Sequence, residues 1–284
     1  MTRVLDGLIH KAEAATWLDG VADKIAPTLE RIIPHGPVKD LASGTPLGHP
    51  LHPAIVAVPI GSWIGAAVLD LVGGRGGRRA AQTMVGLGAL TALPAAYTGA
   101  SDWLDTVDHE RRVGLIHAAL NTAAIGLFGV SWMARRRNHH LVGAGSSLLG
   151  TAIVSAAGFL GGHLAYGLGI GVDNTAFQHL PDEWTDVVAA SELTEGKAVY
   201  AETGGVGVLL MRNGERIDAI ADRCTHRGAP LHEGEMHDGC VTCPWHGSVF
   251  RLDDGSIERG PATRPQRAFD TRIEGDRVEV RKRT

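Results

Sequence analysis

The sequence predicts a two-domain protein of the α plus β class, with an N-terminal four-helix transmembrane bundle and a C-terminal all-β domain. Residues 53–172 are apolar except in three short charged clusters, whereas the chain after Pro181 is charged and rich in turns. A chain of 284 residues is long enough for two such domains. The predicted divisions are an amphipathic segment and loop at 1–44, the transmembrane domain at 45–173 and the β domain at 184–284.

The N-terminal segment carries apolar side chains at helical spacing, among them Leu5, Leu8, Trp17 and Leu18. This pattern predicts an amphipathic helix that ends at Pro27, because proline interrupts the helical hydrogen bonds. The helix is expected either to lie on the membrane surface or to pack against the bundle or a partner. The pattern favours neither of these arrangements.

Four apolar stretches follow, and each is long enough to cross a bilayer, which takes about 20 helical residues. Four such stretches in succession, joined by short charged connectors, indicate a membrane domain rather than the buried helices of a soluble protein. Asp70, near the end of the first stretch, is expected to pair with Arg75, Arg78 and Arg79. The stretches are 53–72, 80–101, 113–134 and 141–172.

The connectors between these stretches predict the orientation of the bundle, because cytoplasmic loops carry an excess of lysine and arginine. The first connector contains three arginines, the third contains Arg135–Arg137, and the acidic middle connector contains two. The first and third connectors are therefore predicted to be cytoplasmic. Both termini, and with them the β domain, are expected on the outer side of a multi-pass protein of the cell membrane.

The β domain is predicted from short runs of apolar and β-branched residues separated by turn sequences. Asn213-Gly214, Asp254-Gly255 and Gly275 each mark the turn of a hairpin. Blocks of about 100 residues with this pattern form small barrels or sandwiches. The cysteines and the paired histidines of this half fall in the loops between the strands.

Two cysteine–histidine pairs with different spacings lie in these loops: Cys224-x-His226 and, after sixteen residues, Cys243-x-x-His246. Zinc is one candidate, but structural zinc sites usually combine one cysteine pair with one histidine pair. One cysteine and one histidine from each loop suit a [2Fe–2S] cluster, with both cysteines on one iron and both histidines on the other. Cys240 is interpreted as a small strand residue near the site.

The sequences CTHRGAPL at 224–231 and CPWHGSVF at 243–250 resemble the two cluster-binding loops of Rieske proteins. The resemblance extends over 184–284 and implies a [2Fe–2S] cluster on these four ligands. Ser248 matches the family serine that donates to a cluster sulfide.

Two features of the quinol-oxidising Rieske subunits are missing from this sequence. Gly228, Ala229 and Trp245 stand where those subunits carry a disulfide, and Phe250 replaces a tyrosine that donates to a ligand sulfur. Fewer hydrogen bonds to sulfur imply a lower reduction potential. The chain therefore resembles Rieske ferredoxins and oxygenase-type domains more than quinol-oxidising ones.

The membrane half has a resemblance of its own. GTPLGHPLHPAIVAVPIG at 44–61, followed by the apolar stretches, is similar to an uncharacterised family of bacterial four-helix membrane proteins with a Gly-His-Pro-Leu-His-Pro motif. This resemblance covers 45–172 and implies a membrane location without an established chemistry.

Three histidines of the membrane half are candidates for a cofactor site. Placing an ionisable residue in a membrane span costs free energy, so such a residue usually serves a function. We predict a b-type haem ligated by His117 and His163, with His52 as the substitute ligand, since four-helix bundles hold haem between facing histidines. The absence of Cys-x-x-Cys-His excludes covalent attachment of such a haem. The alternatives are another metal or quinone-related site and a purely structural role.

Together these features predict a membrane-anchored electron-transfer protein that passes single electrons between a redox partner and the membrane domain. The alternatives are an electron-transfer component of an oxygenase or other oxidoreductase system, and a redox-sensing membrane protein. No catalytic residue is assigned. A complete oxygenase is not expected, because only residues 247–284 follow His246 and such enzymes add a catalytic domain with a mononuclear iron.

The expected partners are the lipid bilayer and either a redox protein or the quinone pool. Nucleic acid is not expected, since the net charge is −4 and no basic patch is interleaved with aromatic residues.

Overall fold

The computed structural model describes residues 2–283 and contains a helical unit and a β unit, which confirms the predicted α plus β class. The helical unit comprises Met1–Pro34 and Leu51–Ile170, and the β unit comprises His35–Pro50 and Gly171–Thr284. Residues 35–50 thus belong with the β strands, a grouping that the predicted divisions do not contain. Met1 and Thr284, at the ends of the predicted segments 1–44 and 184–284, lie outside the described residues.

Eight α-helices occur between residues 2 and 283, and all but the third belong to the helical unit. The last helix continues into a π-helical turn at His163–Gly167. The helices are α1 Thr2–Glu13, α2 Asp19–Ile32, α3 Pro37–Ser43, α4 Leu51–Ile55, α5 Ala57–Val72, α6 Gly74–Leu104, α7 Asp108–Arg136 and α8 His140–Gly162.

Helices α5, α6, α7 and α8 share one apolar core. Trp63 of α5 and Phe128 of α7 stack in it, with ring centroids 4.0 Å apart and planes at 6°. Gly88 of α6 lies so close to the Trp63 indole that a methyl group at this position would overlap with the ring. Small residues therefore allow close helix packing, as in other membrane bundles. The core also includes Ala66, Ala81, Val85, Ala92, Ala124 and Val154.

Among the residues that the structure describes, three helical segments are long and apolar enough to cross a membrane: Leu51–Val72, Asp108–Arg136 and His140–Gly167. The predicted number of four spans is therefore one too high by this measure. The second predicted stretch, 80–101, lies within α6, but its glycines, threonines and Gln82 lower the hydropathy of that helix. It nevertheless contributes to the same core as the three spans.

The N-terminal segment forms two helices, and α2 continues through Pro27 instead of ending there. Ala22 and Ala26 of α2 are buried with Trp103 of α6 in one apolar cluster. This packing offsets the hydrogen bond that proline removes, so the prediction that Pro27 ends the helix is wrong. The sequence left two arrangements open for this segment. The structure shows one of them, in which α2 packs against the bundle.

Asp70 pairs with Arg135 of α7 and not with the arginines of the first connector. Arg135 Nη1 donates to Asp70 Oδ1 at 2.7 Å, and the two side chains are 8% exposed for Asp70 and 1% for Arg135. Ser131 Oγ accepts a further hydrogen bond from Arg135 Nε at 3.2 Å. The expected pairing is wrong because α5 and α7 pack together along the apolar core, which brings Arg135 to the buried carboxylate.

Within the described residues, the β unit has ten strands: β1 Thr185–Ala189, β2 Ala198–Thr203, β3 Val206–Asn213, β4 Arg216–Ala221, β5 Glu235–His237, β6 Cys240–Thr242, β7 Val249–Arg251, β8 Ile257–Arg259, β9 Phe269–Glu274 and β10 Arg277–Lys282. They form three antiparallel sheets with the strand orders β1-β10-β9, β2-β3-β4 and β5-β6-β7-β8. The predicted all-β domain is confirmed.

The three predicted hairpin turns are confirmed by the strand pairing. They join β3 to β4, β7 to β8 and β9 to β10. Gly214, Gly255 and Gly275 have φ angles of +64°, +75° and +63°. Glycine adopts such angles without the steric cost that other residues incur, so these turns depend on it.

Replacement of Arg135 by methionine is expected to destabilise the helical unit by roughly 3–5 kcal/mol, because it leaves the Asp70 carboxylate buried without its partner. Unfolding of the full chain in detergent measures this loss. Arg137→Met is the matched control, since Arg137 is exposed near the same helix end. The double variant Asp70→Leu, Arg135→Met removes both charges and should recover most of the stability. Equal stability of Arg135→Met and Arg137→Met contradicts the prediction.

Candidate metal centre

The first loop follows β4 and carries Cys224 and His226. Cys224 N–H donates to Ala229 O at 2.8 Å, and Gly228 N–H donates to Cys224 O at 2.9 Å. Gly228 has a φ of +80°, a conformation that side chains disfavour. These bonds fold the loop back on itself around the Cys224 thiol.

The second loop lies between β6 and β7 and carries Cys243 and His246. Its backbone bonds repeat those of the first loop: Cys243 N–H donates to Ser248 O at 2.7 Å, and Gly247 N–H donates to Cys243 O at 3.1 Å. Gly247 likewise has a positive φ, +71°. The two cysteines therefore occupy equivalent positions in two turns of the same kind.

The four predicted ligands come together where these loops meet. The Cys224 and Cys243 thiols are hydrogen-bonded to each other, and the two residues are 0% and 2% exposed. The imidazole rings of His226 and His246 lie 5.0 Å apart between centroids, with planes at 89°. Their Nδ1 atoms are buried and make no hydrogen bond to the described residues, although both residues have other contacts.

The protonation states of these groups suit metal ligation, which requires thiolates and neutral imidazoles. Burial, and next the charge of His246, holds the pKa of His226 well below its usual range. The hydrogen bond from Cys224 lowers the pKa of Cys243 to about 7, although burial opposes it. The same bond and burial raise the pKa of Cys224. Cys243 therefore loses its proton first.

Residues 260–266, called the bridging segment, connect the two loops. Ala262 N–H donates to Ser248 Oγ in the second loop at 3.0 Å. Thr225 Oγ1 in the first loop donates to Arg264 O at 2.8 Å. One short segment thus fixes both loops with respect to each other.

Asp222, which precedes the first loop, binds the residues that follow the loop. Nothing in the sequence indicates this role. Its Oδ1 accepts the His232 N–H at 2.7 Å, and its Oδ2 lies 2.8 Å from His232 Nδ1. Leu231 N–H donates to Asp222 O at 2.8 Å. Asp222 is buried. No sequence pattern marks an aspartate two residues before Cys224, so only the tertiary structure shows this contact.

Cys240 lies on β6, as the sequence analysis expected of a strand residue. Its Sγ lies 3.9 Å from Asp238 O. Burial raises the pKa of its thiol. Cys240 is therefore a buried, protonated side chain and is not one of the four predicted ligands.

Two equivalent loops on a small antiparallel β domain, each supplying one cysteine and one histidine, define the class of Rieske-type iron–sulfur proteins. The chain belongs to the Rieske [2Fe-2S] domain family, whose model matches residues 183–270. Residues 48–174 match a second family, described as "Predicted membrane protein (DUF2231)". Both resemblances stated from the sequence are confirmed. The donor set of two thiols and two imidazoles fits the [2Fe–2S] cluster that the family implies.

Known proteins similar to this chain include ferredoxin subunits. The "Anthranilate 1,2-dioxygenase ferredoxin subunit" of Burkholderia cepacia is 35% identical over 98 residues, which are 34% of this chain and 91% of that subunit. "Apoptosis-inducing factor 3" of Mus musculus is 34% identical over 95 residues, and the chain spans 16% of its length. Among solved structures, the ferredoxin of carbazole 1,9a-dioxygenase from Nocardioides aromaticivorans IC177 is 26% identical, with a TM-score of 0.34 over 35% of this chain and 98% of its own.

The structure brings together two of the three histidines predicted as haem ligands. The rings of His52 and His117 are 6.4 Å apart between centroids, with planes at 83°. His52 Nδ1 lies 2.9 Å from Ala95 O, and His117 Nδ1 lies 2.8 Å from Ala157 O. His117 therefore faces His52, the predicted substitute ligand.

His163 has a different neighbour. Its Nε2 lies 3.0 Å from Glu13 Oε1, which joins the end of α8 to the end of α1. The Glu13 carboxylate contacts Nε2, one of the two ring nitrogens through which a histidine can bind a metal. The structure thus gives His163 a polar contact between helices, one of the alternatives that the sequence left open.

Replacement of Asp222 by alanine is expected to weaken cluster retention, because the first loop loses two hydrogen bonds and leaves a buried N–H without an acceptor, at about 1–3 kcal/mol. Asp222→Asn keeps an acceptor oxygen and should retain more of the cluster. Glu233→Ala, an exposed neighbour, is the control. Iron content and the thermal midpoint of the purified full chain measure the effect. Indistinguishable Asp222→Ala and Glu233→Ala proteins contradict the prediction.

Proposed function

We propose that the chain is a membrane-anchored electron carrier in which Cys224, His226, Cys243 and His246 hold a [2Fe–2S] cluster. The observation that carries this proposal is the meeting of two buried thiols and two imidazoles in equivalent loops. When bound, such a cluster accepts and releases one electron at a time. Two neutral imidazoles in place of two thiolates reduce its negative charge, which favours the reduced state and raises the potential.

The other residues of the site position these ligands and exclude water. The bridging segment and Asp222 fix the loops, and Phe250, which is fully buried, lies in the same apolar cluster as the two cysteines. Trp245 is 57% exposed beside His246, so the second loop reaches the protein surface. An electron partner is proposed to approach at this side of the loops.

The proposed role is electron transfer, not oxygenation, because the similarity to a dioxygenase ferredoxin subunit covers nearly all of that subunit. We propose that a redox protein supplies or receives the electron on one side. The match of 48–174 to a membrane protein family makes the membrane domain, or the quinone pool, the candidate on the other side.

The β unit is proposed to lie outside the cytoplasm. The arginines of the first and third connectors support this orientation under the positive-inside rule. Helix α6 shares the core of the three candidate spans, so we count it as a fourth crossing. An even number of crossings leaves both termini on one side.

Replacement of Cys224 or Cys243 by serine is expected to abolish the cluster, whereas Cys240→Ser should retain it, because Cys240 lies outside the ligand set. His226→Cys and His246→Cys should lower the midpoint potential if a cluster is retained, since a thiolate adds negative charge. Iron analysis and EPR of the reduced full chain measure both effects. The wild type should show an average g below that of all-cysteine ferredoxins and a potential in the lower part of the range of about −150 to +300 mV.

Three results contradict the assignment of the cluster. One is zinc without iron in anaerobically purified protein. The second is loss of the cluster in Cys240→Ser, and the third is its full retention in Cys224→Ser.

The orientation predicts that Thr194→Cys, at an exposed position of the β unit, reacts with a membrane-impermeant maleimide in intact cells. Arg137→Cys, in the connector between α7 and α8, should react only after the membrane is permeabilised, because that connector is cytoplasmic. The three natural cysteines are buried, so the unmodified chain is the background control. The reverse labelling pattern contradicts the orientation.

A b-type haem stays a prediction, and the pair that the structure favours for it is His52 with His117. Both Nδ1 atoms lie against backbone carbonyls, the arrangement that directs Nε2 to a metal in histidine-ligated sites. Asn121 Nδ2 lies 3.1 Å from His117 Nε2, so ligation has to replace this contact.

The haem assignment is tested by a pyridine haemochrome assay on protein expressed with a haem supply. His117→Ala and His52→Ala are expected to lose haem, because each removes one of the two residues that would hold it. His163→Ala, which removes the contact with Glu13, is the matched control and should retain it. Absence of haem from cluster-loaded wild type contradicts the prediction, as does full retention in the His52→Ala, His117→Ala double variant.

A further inference from the structure

Residues 35–50, called the docking segment, precede the first membrane span but fold with the β unit. The segment begins with α3, which has Pro37 at its first position and Gly44 after its end, with a φ of +90°. Proline at the start and glycine after the end of a helix define both of its limits. The chain then turns at Gly48 and continues directly into α4 at Leu51.

Two side chains of the docking segment bind the bridging segment. Asp40 Oδ1 accepts the Gly260 N–H at 3.0 Å. Thr45 Oγ1 donates to Ala262 O at 2.9 Å. Gly260 has no room for a side chain, since a methyl group there would overlap with Thr45 Oγ1 and crowd Asp40. The contact is therefore close and specific, and it requires glycine at 260.

The contact with Ala262 continues into the second ligand loop. Ala262 accepts a hydrogen bond from Thr45 through its carbonyl and donates one through its N–H to Ser248 Oγ. Ser248 is fully buried. Because its oxygen accepts the N–H, its single hydroxyl proton is left to donate in another direction. The resemblance to Rieske proteins implies that the hydroxyl donates this proton in a hydrogen bond to a cluster sulfide.

We propose that Thr45 is a positioning residue for the cluster, which holds Ser248 in its donating orientation through Ala262 and so raises the reduction potential. This inference rests on the proposed function. It gives the docking segment, which precedes the first span, a role in the metal centre. Asp40 supports the same contact by fixing Gly260, two residues before Ala262.

The physical basis is the hydrogen bond to sulfur. Donors to the sulfur atoms of a cluster stabilise the reduced state, which carries more negative charge, and so raise the potential. If the Thr45 contact is lost, the bridging segment has one fewer hydrogen bond. Ala262, the partner of Ser248, is then held less firmly in place. The hydroxyl then donates less well, and the potential falls.

The test is an EPR-monitored redox titration of the full chain in detergent. Thr45→Val, which keeps the shape but removes the donor, is expected to lower the midpoint potential with iron content unchanged. Thr45→Ser restores the hydroxyl and should titrate like the wild type. Gly260→Ala, which displaces the docking segment without altering Thr45, should lower the potential in the same direction.

Thr271→Val is the matched control. Thr271 Oγ1 donates to Ile217 O at 2.7 Å, so this variant also loses one bond from a threonine to a backbone carbonyl, but away from the ligand loops. Its potential should not change. Ser248→Ala should lower the potential further than Thr45→Val does.

A double-mutant cycle separates positioning from a general structural effect. Adding Thr45→Val to Ser248→Ala should produce no further shift, because the donor that Thr45 positions is already absent. An additive shift overturns the route through Ser248. Wild-type potentials in both Thr45→Val and Gly260→Ala overturn the inference, as does loss of the cluster from both variants. A wild type without a Rieske EPR signal is instead a failure of the proposed function.

Discussion

The contact between the Cys224 and Cys243 thiols is the constraint on which the metal centre depends. The two residues lie in different loops, yet each begins a turn with the same two backbone hydrogen bonds. Bringing these turns together buries polar groups, which is costly unless each group has a partner. Asp222 and the bridging segment supply such partners to both loops.

In the helical unit, three polar side chains contact groups on other helices: Asp70 binds Arg135, and His52 and His117 lie against backbone carbonyls. Between these contacts the core consists of aromatic rings packed against alanine and glycine. These pairs add directional contacts to apolar packing, which is itself non-directional.

The docking segment overlaps the match to the membrane family and yet folds with the β strands. The match to the membrane family begins at residue 48, within the docking segment, whereas residues 35–50 fold with the Rieske strands. The β unit is therefore discontinuous in sequence. Side chains that precede the first span bind the bridging segment, which in turn fixes both ligand loops. A Rieske domain without residues 35–50 would lack these contacts.

The sequence by itself determined the features that depend on neighbouring residues. The Cys-x-His and Cys-x-x-His spacings, the glycine turns and the apolar stretches each report a local geometry or a local solvation preference. The tertiary structure alone decided the pairings between distant residues, such as Asp70 with Arg135 and Thr45 with Ala262, and it kept α2 helical through Pro27. The reason is that the free energy of such contacts depends on which surfaces packing brings together, and residue spacing along the chain carries no record of that.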